Sequence, residues 1–350
     1  MGPLPHLLQA LLHYDAPTFG SNHLTSRDAK LEARLGLGSF MHSHADPRLP
    51  SLPINISLKM GADTPKSAIV PPAPSAAEVA AAAASVKAPE PGPRNFLSRF
   101  RLDGKVAIVT GGARGLGYSM AEGLCSVGLM GIVILDVSSE LGQDAAKTLF
   151  ETYGTKSQFY KADVRDEVSL AEIMEGVMAA FGRIDIVINS AGVADLMHSE
   201  EYPAEKFRRV IDINLNGSFL VTQAAAKYMI ASGNGGSVVF IASMSGHIVN
   251  WPQPQSAYNA SKAGVRHLMK SLAAEWAVHK IRCNSISPGY MDTALNRSYG
   301  SLFNEWKDRT PMGRLGDVDE LSCACIYLAS DASSFCTGTD LIIDGGYTII

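Results

Sequence analysis

Tyr258 and Lys262 stand four residues apart in the run YNASK, so a helix would bring both side chains to one face. A free phenol has a pKa of about 10. An ammonium group held beside it favours the phenolate and lowers that pKa, so the tyrosine could take a proton from an alcohol or return one to a carbonyl. The same spacing also occurs in exposed pairs on amphipathic helices, which is the alternative for these two residues alone.

Ser243 ends the apolar run GSVVFIAS, which is predicted to be a strand. Ligands of open α/β sheets bind at the carboxyl ends of the strands, where this hydroxyl would lie. A hydroxyl opposite the phenol could hold the oxygen of a substrate. His247, four residues further on, is interpreted as a residue of a surface loop.

A glycine-rich turn, Thr110–Gly117 (TGGARGLG), lies between the first predicted strand and the first predicted helix. Its glycines let backbone N–H groups approach a pyrophosphate, and the helix N-terminus adds partial positive charge. Asp136 follows about twenty residues later, where a carboxylate binds a ribose 2′-hydroxyl and repels a 2′-phosphate. This favours NAD over NADP, although Arg114 could accept a 2′-phosphate. A helix N-cap is the alternative role for Asp136.

Short apolar runs alternate with helix-length segments from residue 105 onward. Apolar strands separated by helices are typical of a parallel sheet covered on both faces, and right-handed crossovers make it doubly wound. The predicted strands are 105–110, 131–136, 157–163, 184–192, 236–243, 280–288 and 340–346. The predicted helices are 115–128, 139–153, 167–181, 203–232, 256–278 and 318–330. The fold prediction is one α/β domain of Rossmann type, with about seven parallel strands, over residues 96–350.

The chain from about Leu102 to Tyr347 resembles the short-chain dehydrogenase/reductase family. The resemblance rests on a joint set of motifs: TGGARGLG, Asp163-Val164, the turn NSAG at 189–192, Asn214 in INLNG, Ser243, YNASK, Pro288-Gly289 and a terminal DGG. One departure is Ser190, where the family more often has alanine. Serine is small enough for the turn to survive.

The resemblance implies a role for each catalytic residue. Ser243 orients and polarises the substrate oxygen, and Tyr258 is the acid/base. Lys262 lowers the pKa of Tyr258 and holds the nicotinamide ribose. Asn214 interrupts its helix and supports a water-linked proton relay to Lys262. Outside the family, Asn214 would be an ordinary polar helix residue.

The resemblance also implies a cofactor site. Asp163 should contact the adenine, and Asn189 and the 191–192 backbone should contact the adenosine side of the cofactor. Residues 288–293 should hold the carboxamide. Outside the family, Thr293 would be interpreted as a helix cap. The implied cofactor residues are Gly111, Arg114, Gly115, Leu116, Gly117, Asp136, Asp163, Val164, Asn189, Ala191, Gly192, Tyr258, Lys262, Pro288, Gly289, Met291 and Thr293.

The segment between Ser243 and Tyr258 shapes the substrate pocket in this family. Here it places Asn250, Gln253 and Gln255 near the site, on a backbone stiffened by prolines. Amides both donate and accept hydrogen bonds, which suits a polyhydroxylated substrate. The stretch resembles fungal polyol dehydrogenases and ketose reductases, which implies interconversion of a sugar alcohol similar to D-arabinitol and a ketose. Exposed loop positions are the alternative for the two glutamines.

Two other functions are compatible with parts of the pattern. An NADPH-dependent ketoreductase acting on a polyketide or 3-oxoacyl group would use the same catalytic residues. A non-catalytic nucleotide-binding protein would have no need of all four catalytic side chains. Family members commonly pair helices equivalent to 203–232 and 256–278, so a homotetramer or dimer is expected.

Composition narrows the class of protein further. The net charge of −4 gives no reason to expect a nucleic acid or an acidic membrane as partner. The chain has no apolar run of about 18 residues, the length that a membrane span needs. Five scattered cysteines predict neither a disulfide framework nor a metal site, and they favour a reducing compartment. We therefore predict a cytoplasmic enzyme.

Residues 1–95 are predicted to be a disordered extension that ends in a linker. The segment 71–93 is dominated by Ala and Pro, with one short helix expected at AAEVAAAAASVK. Mitochondrial targeting is the alternative role of the extension, although a targeting presequence should be basic and this segment is nearly neutral.

Overall fold

The computed structural model describes residues 75–85, 95–297 and 300–350 of the chain. It divides into two compact units, Met1–Ala88 and Pro89–Ile350. Helix α1 (Ala76–Ser85) lies in the first unit and agrees with the short helix expected there. Its start is capped reciprocally, because the Ser75 N–H donates to the Glu78 carboxylate at 2.7 Å and the Glu78 N–H donates to Ser75 Oγ at 3.2 Å. The prediction of disorder for 1–74 and 86–94 concerns residues outside the described ranges.

A parallel sheet of seven strands forms the centre of the second unit, in the order β3-β2-β1-β4-β5-β6-β7. The order reverses between β1 and β4, and such a reversal opens a crevice at the carboxyl ends of the strands. The strands are β1 (Val106–Thr110), β2 (Gly131–Asp136), β3 (Lys156–Lys161), β4 (Ile186–Asn189), β5 (Gly236–Ile241), β6 (Ile281–Pro288) and β7 (Asp340–Ile343). The predicted doubly wound sheet is confirmed.

Helices connect the strands and cover the sheet. They are α2 (Gly115–Ser126), α3 (Ser139–Tyr153), α4 (Glu167–Phe181), α5 (Ala204–Ile211), α6 (Gly217–Ser232), α7 (Ser256–Trp276), α8 (Ala294–Arg297), α9 (Ser301–Arg309) and α10 (Glu320–Ala329). In the described parts of the chain, no helix combines the length and apolar character that a membrane crossing needs.

Strand β1 shows why the sheet is covered on both faces. Val106 and Ile108 pack into a core with residues of α4, α6 and α7, whereas Ala107 and Val109 pack into a second core with residues of α2 and α10. Successive residues of a strand point to opposite faces, so both sets are buried. This burial on two sides explains the continuous apolar run in the sequence.

The sequence prediction differs from the structure mainly near the site. Segment 203–232 is not one helix, because a π-helical turn over Asp212–Asn216 separates α5 from α6. The strand expected at 184–192 is only β4, since the residues after Asn189 leave the sheet to form the turn beside the site. Helices α8 and α9 were not predicted.

Candidate active site

The glycine turn after β1 is closely packed against its own backbone. A Cβ on Gly117 would lie 2.3 Å from the Gly111 carbonyl oxygen, and a Cβ on Gly111 would lie 2.9 Å from the Ala191 Cα. Gly111 and Gly115 have φ of +62° and +60°, a region that favours glycine. The turn leads directly into the N-terminus of α2, and Leu116 in the first turn of that helix packs against the core.

Asp136 joins the end of β2 to this turn. Its carboxylate accepts hydrogen bonds from the Ala113 N–H at 3.3 Å and from the Ser138 N–H at 3.0 Å. Arg114 is exposed at the start of α2. The acid therefore lies beside the turn as the sequence predicted.

The NSAG turn closes the other side of the glycine turn. Thr110 Oγ1 accepts hydrogen bonds from the Ser190 N–H at 3.1 Å and from the Ala191 N–H at 3.0 Å, so serine at 190 does not disturb the turn. Asn189 donates to Thr222 Oγ1 at 2.8 Å. Its amide oxygen is buried and has no hydrogen-bond partner among the described residues.

These features fit a dinucleotide. The turn has no room for a side chain at Gly111 or Gly117, as expected of a turn whose backbone binds a pyrophosphate, and the helix N-terminus favours an anion. The buried Asn189 oxygen is an acceptor that a ligand donor could satisfy. When bound, a nicotinamide cofactor would supply hydride transfer at this edge of the sheet.

Asp163 and Val164 are less directly connected to the turn. The Asp163 carboxylate pairs with Arg165, whose Nε donates at 2.9 Å, and this guanidinium holds the pKa of Asp163 below its ordinary value. Val164 is buried, and a Cβ on Gly217 of α6 would lie 2.4 Å from its Cγ2. Val164 thus packs against α6, and contact of Asp163 with an adenine stays a prediction.

Asn214 lies in the π-helical turn and is buried. Its amide oxygen accepts from the Val193 N–H at 2.8 Å, and its nitrogen donates to the Val193 carbonyl and to Ser261 Oγ, both at 2.9 Å. A Cβ on Gly192 would lie 3.3 Å from Asn214 Oδ1 and 3.6 Å from Lys262 Nζ. The interrupted helix therefore brings Asn214, Gly192 and Lys262 together, and the water-linked proton relay from Asn214 to Lys262 stays a prediction.

Ser243, Tyr258 and Lys262 meet at the carboxyl edge of β5. Ser243 follows the strand, and its side chain lies close enough to the Tyr258 hydroxyl to affect the pKa of that phenol. Lys262 Nζ donates to the Ile241 carbonyl at 2.7 Å and lies 5.6 Å from the centre of the Tyr258 ring. The tyrosine and lysine predicted from their spacing and the serine predicted from its position at a strand end are thus neighbours.

Burial changes the proton affinities of two of these groups. Burial raises the pKa of Tyr258, and the hydrogen bond with Ser243 lowers it by a smaller amount. Burial lowers the pKa of Lys262 to about 8. The sequence led us to expect Lys262 to lower the pKa of Tyr258, whereas in the structure burial raises that pKa and the opposing contribution comes from Ser243, not from Lys262.

The loop before α7 is held by its own amides. Gln255 is buried, and its nitrogen donates to Ser245 Oγ at 3.2 Å, Asn250 Oδ1 at 3.0 Å and Asn259 Oδ1 at 2.9 Å. Asn250 is buried as well and donates to the Tyr290 hydroxyl at 3.2 Å. Both residues therefore stabilise the loop, a role that the sequence did not indicate.

Gln253 is half-buried and is oriented by two aromatic residues. Its oxygen accepts from the Tyr290 hydroxyl and from Trp306 Nε1, the latter at 3.1 Å. The rings of Tyr290 and Trp306 stack with centres 4.3 Å apart. An indole N–H can only donate, so the amide oxygen of Gln253 must face Trp306.

Residues 288–293, which were predicted to hold the cofactor carboxamide, begin at the last residue of β6, at the carboxyl edge of the sheet. A Cβ on Gly289 would lie 2.6 Å from the Asp344 Cα, so the backbone of the terminal DGG runs against Pro288-Gly289. Met291 is buried and pairs with Gly316, and Thr293 Oγ1 accepts from the Asn296 N–H at 3.1 Å. Thr293 therefore makes the cap contact that was the alternative role for this residue, and contact of 288–293 with a carboxamide stays a prediction.

Three groups beside the site were missed in the sequence. Tyr290 and Trp306 bind the loop, yet Trp306 lies on the unpredicted α9. Asp340, at the start of β7, binds His247 at 2.6 Å. The interpretation of His247 as a surface residue was therefore wrong, because its side chain is only 17% exposed and pairs with a carboxylate on a strand distant in sequence. The described residues include no group of three His, Cys, Asp or Glu side chains placed to hold a metal ion.

A glycine turn at the carboxyl edge of a parallel sheet, with a serine, tyrosine and lysine beside it, defines an NAD(P)-dependent alcohol dehydrogenase or ketoreductase. The family model described as enoyl-(acyl carrier protein) reductase matches residues 111–348. The chain belongs to the short-chain dehydrogenase/reductase family.

Several relatives have names that specify a substrate. Sorbose reductase of Schizosaccharomyces pombe is 40% identical over 71% of this chain and 98% of its own length. A probable NADP-dependent mannitol dehydrogenase of Yarrowia lipolytica is 41% identical over 73% of this chain and 91% of its own. The ribulose-forming D-arabinitol 2-dehydrogenase of Candida tropicalis is 38% identical over 72% and 95%.

A solved structure shares the fold. The short-chain dehydrogenase/reductase from Mycobacterium marinum has a TM-score of 0.71 and 38% identity, covering 73% of this chain and all of that chain.

Proposed function

We propose that this protein interconverts a sugar alcohol, similar to D-arabinitol, and the corresponding ketose. The observation that carries this proposal is the position of Ser243, Tyr258 and Lys262 at the carboxyl edge, with Gln253 on the loop that joins the first two. Relatives with similar chains are named as sorbose, mannitol and D-arabinitol enzymes, which supports a polyhydroxylated substrate.

Each catalytic side chain has one task in this proposal. The Ser243 hydroxyl binds the substrate oxygen, and Tyr258 removes or returns the proton at that oxygen. The Lys262 ammonium group stabilises the phenolate electrostatically, while the Ile241 carbonyl fixes its position. Asn214 holds the Val193 backbone and Ser261 in place behind the lysine.

Gln253 is the amide best suited to meet the substrate. Because its oxygen faces Tyr290 and Trp306, its NH₂ group points away from both rings. An amide held in this way presents two donors in a fixed direction, and a sugar hydroxyl could accept them. Asn250 and Gln255, both buried, would support the loop beneath it.

We propose NAD as the preferred cofactor. Asp136 ends β2 beside the glycine turn, and its negative charge would repel a 2′-phosphate. The exposed Arg114 and the relative named as NADP-dependent favour the opposite preference. The direct test is the ratio of kcat/KM for the two cofactors with one substrate.

The experiment that tests the function measures initial rates over a panel of pentitols, hexitols and ketoses with each cofactor. Turnover of a sugar alcohol or ketose that falls about a thousandfold in Tyr258→Phe supports the proposal. Turnover confined to 3-oxoacyl esters with NADPH would establish the ketoreductase alternative. Full activity of Tyr258→Phe would contradict the mechanism.

We also propose a cytoplasmic location and a homo-oligomer, either a dimer or a tetramer. Three of the five cysteines are buried free thiols, which is compatible with a reducing compartment. Fractionation of cells that express the full chain tests the location. Light scattering tests the assembly, and a monomeric mass would contradict it.

A further inference from the structure

The buried carboxylate of Asp340, on β7, forms hydrogen bonds with four side chains. Asp340 Oδ1 accepts from Ser285 Oγ at 2.7 Å and from Ser287 Oγ at 2.9 Å. Its Oδ2 binds Arg266 Nε at 3.1 Å and His247 Nε2 at 2.6 Å. The Asp340 side chain is only 7% exposed, so these partners replace the water that it would otherwise bind.

Two of these partners also hold the turn that follows Ser243. Arg266 donates through a second nitrogen to the Gly246 carbonyl at 2.6 Å. The His247 N–H donates to the Met244 carbonyl at 2.8 Å, and the Gly246 N–H donates to the Ser243 carbonyl at 2.9 Å. The carboxylate is therefore linked, through one intermediate residue on each path, to the short helical turn that Ser243 begins.

The same turn is pressed against the helix that carries the acid/base. A Cβ on Gly246 would lie 2.9 Å from the Lys262 carbonyl carbon and oxygen and from the Ala263 nitrogen. Arg266 lies one helical turn after Lys262, on the same face of α7. The position of Ser243 relative to Tyr258 thus depends on how firmly this turn is held against α7.

We propose that Asp340 is a positioning residue, which acts through Arg266 and His247 to hold the Ser243 turn against α7 at the distance that the reaction needs. The inference depends on the proposed function, because it gives Ser243 the substrate oxygen. A displacement of about 1 Å can reduce a rate about a hundredfold. Asp340 itself touches neither substrate nor cofactor in this assignment.

A double-mutant cycle between Ser243→Ala and Asp340→Asn tests the proposal. Asp340→Asn alone should lower kcat at least about tenfold, whereas cofactor affinity from nucleotide fluorescence should change less than about twofold. In the Ser243→Ala background, Asp340→Asn should lower kcat by less than about twofold, because the hydroxyl that Asp340 positions is already absent. An equal loss in both backgrounds would contradict the proposal.

Asp185 provides a matched control. It is a buried carboxylate that accepts hydrogen bonds from the Val106 N–H at 2.9 Å and from Arg183. Asp185 immediately precedes β4, so it lies at the end of the strands opposite the site. Asp185→Asn should lower thermal stability but should show the same relative kcat effect with and without Ser243. Coupling of Asp185 to Ser243 as strong as that of Asp340 would show a general loss of order and would overturn the assignment.

If Asp340→Asn does not fold, Arg266→Met replaces it in the double-mutant cycle, since Arg266→Met removes both the contact with Asp340 and the contact with Gly246. The cycle is run with any secondary alcohol or ketone that the wild type turns over. A panel without sugar turnover therefore contradicts the proposed substrate and leaves the positioning test intact. Additivity of Arg266→Met and Ser243→Ala would contradict the positioning role alone.

Discussion

A Cβ on Gly117 would lie 2.3 Å from the carbonyl oxygen of Gly111, which is backbone and cannot rotate away. Gly117→Ala should therefore force the glycine turn open. We expect cofactor affinity to fall at least about tenfold, because the backbone N–H groups of the turn would no longer converge on the pyrophosphate. Nucleotide fluorescence titration measures this affinity.

Gly154→Ala is the control for Gly117→Ala. Gly154 ends α3 at φ +68°, and an added Cβ would meet nothing within 4 Å. Its substitution should cost about 1 kcal/mol of stability from backbone strain alone, with unchanged cofactor affinity. Equal losses of affinity in the two variants would show that the crowding at Gly117 is unimportant.

The buried lysine should make stability depend on pH in a defined window. Burial lowers the pKa of Lys262 to about 8 in the folded protein, whereas the unfolded chain has the ordinary value of 10.5. Between these values the unfolded state binds more protons, so the free energy of unfolding rises with pH. Below about pH 8 both states are protonated, and the full cost of burying the charge remains.

Lys262→Met should remove this contribution. Compared with wild type, the variant should lose on the order of 2 kcal/mol of the increase in unfolding free energy between about pH 7.5 and 9.5. Urea unfolding of both proteins without added nucleotide measures the difference. Identical pH dependence of the two proteins would mean that Lys262 keeps an ordinary pKa.

Asp136→Asn should shift the cofactor preference. The substitution keeps an oxygen that can accept from the Ala113 and Ser138 N–H groups, but it removes the negative charge. We expect the ratio of kcat/KM for NADP to that for NAD to rise at least about tenfold, because repulsion of the 2′-phosphate is lost. An unchanged ratio would show that other residues, such as Arg114, set the preference.

Most of the fold could be predicted from the sequence because its signals are local. Each of the seven predicted segments overlaps a strand. The five strands β1, β2, β4, β5 and β6 are buried on both faces, so their apolar runs need no polar alternation, whereas the edge strands β3 and β7 are less buried. Tyr258 and Lys262 could be paired because helical spacing alone puts them on one face. The interruption at Asn214 was expected from the family resemblance, whereas its π-helical form was not.

The contacts that were missed depend on residues far apart in the chain. Asp340 meets His247 only because β7 lies next to β6, and the order of strands is not written in any short segment. Trp306 reaches Gln253 from α9, whose nine residues carry a weak signal. Desolvation at Tyr258 similarly depends on the complete fold, so the direction of its pKa shift did not follow from the neighbouring lysine.

Gln253→Glu separates a substrate contact from a structural role. A carboxylate would keep an acceptor for Tyr290 and Trp306 and would lose only the NH₂ donors. If those donors bind a sugar hydroxyl, KM for the polyol should rise about tenfold with kcat and thermal stability nearly unchanged. Unchanged KM would exclude Gln253 from the substrate site.

Gln255→Glu is the matched comparison for Gln253→Glu, because it makes the same chemical change at a buried position. The Gln255 nitrogen donates to the amide oxygens of Asn250 and Asn259 and to Ser245 Oγ. A carboxylate there would replace a donor by an acceptor facing two other acceptors, at a cost of about 2 kcal/mol of stability. We therefore expect thermal unfolding at a lower temperature for Gln255→Glu, and for Gln253→Glu a change in KM without that loss. If Gln255→Glu instead raised KM at unchanged stability, the substrate would contact Gln255, and the loop would present a different amide from the one proposed.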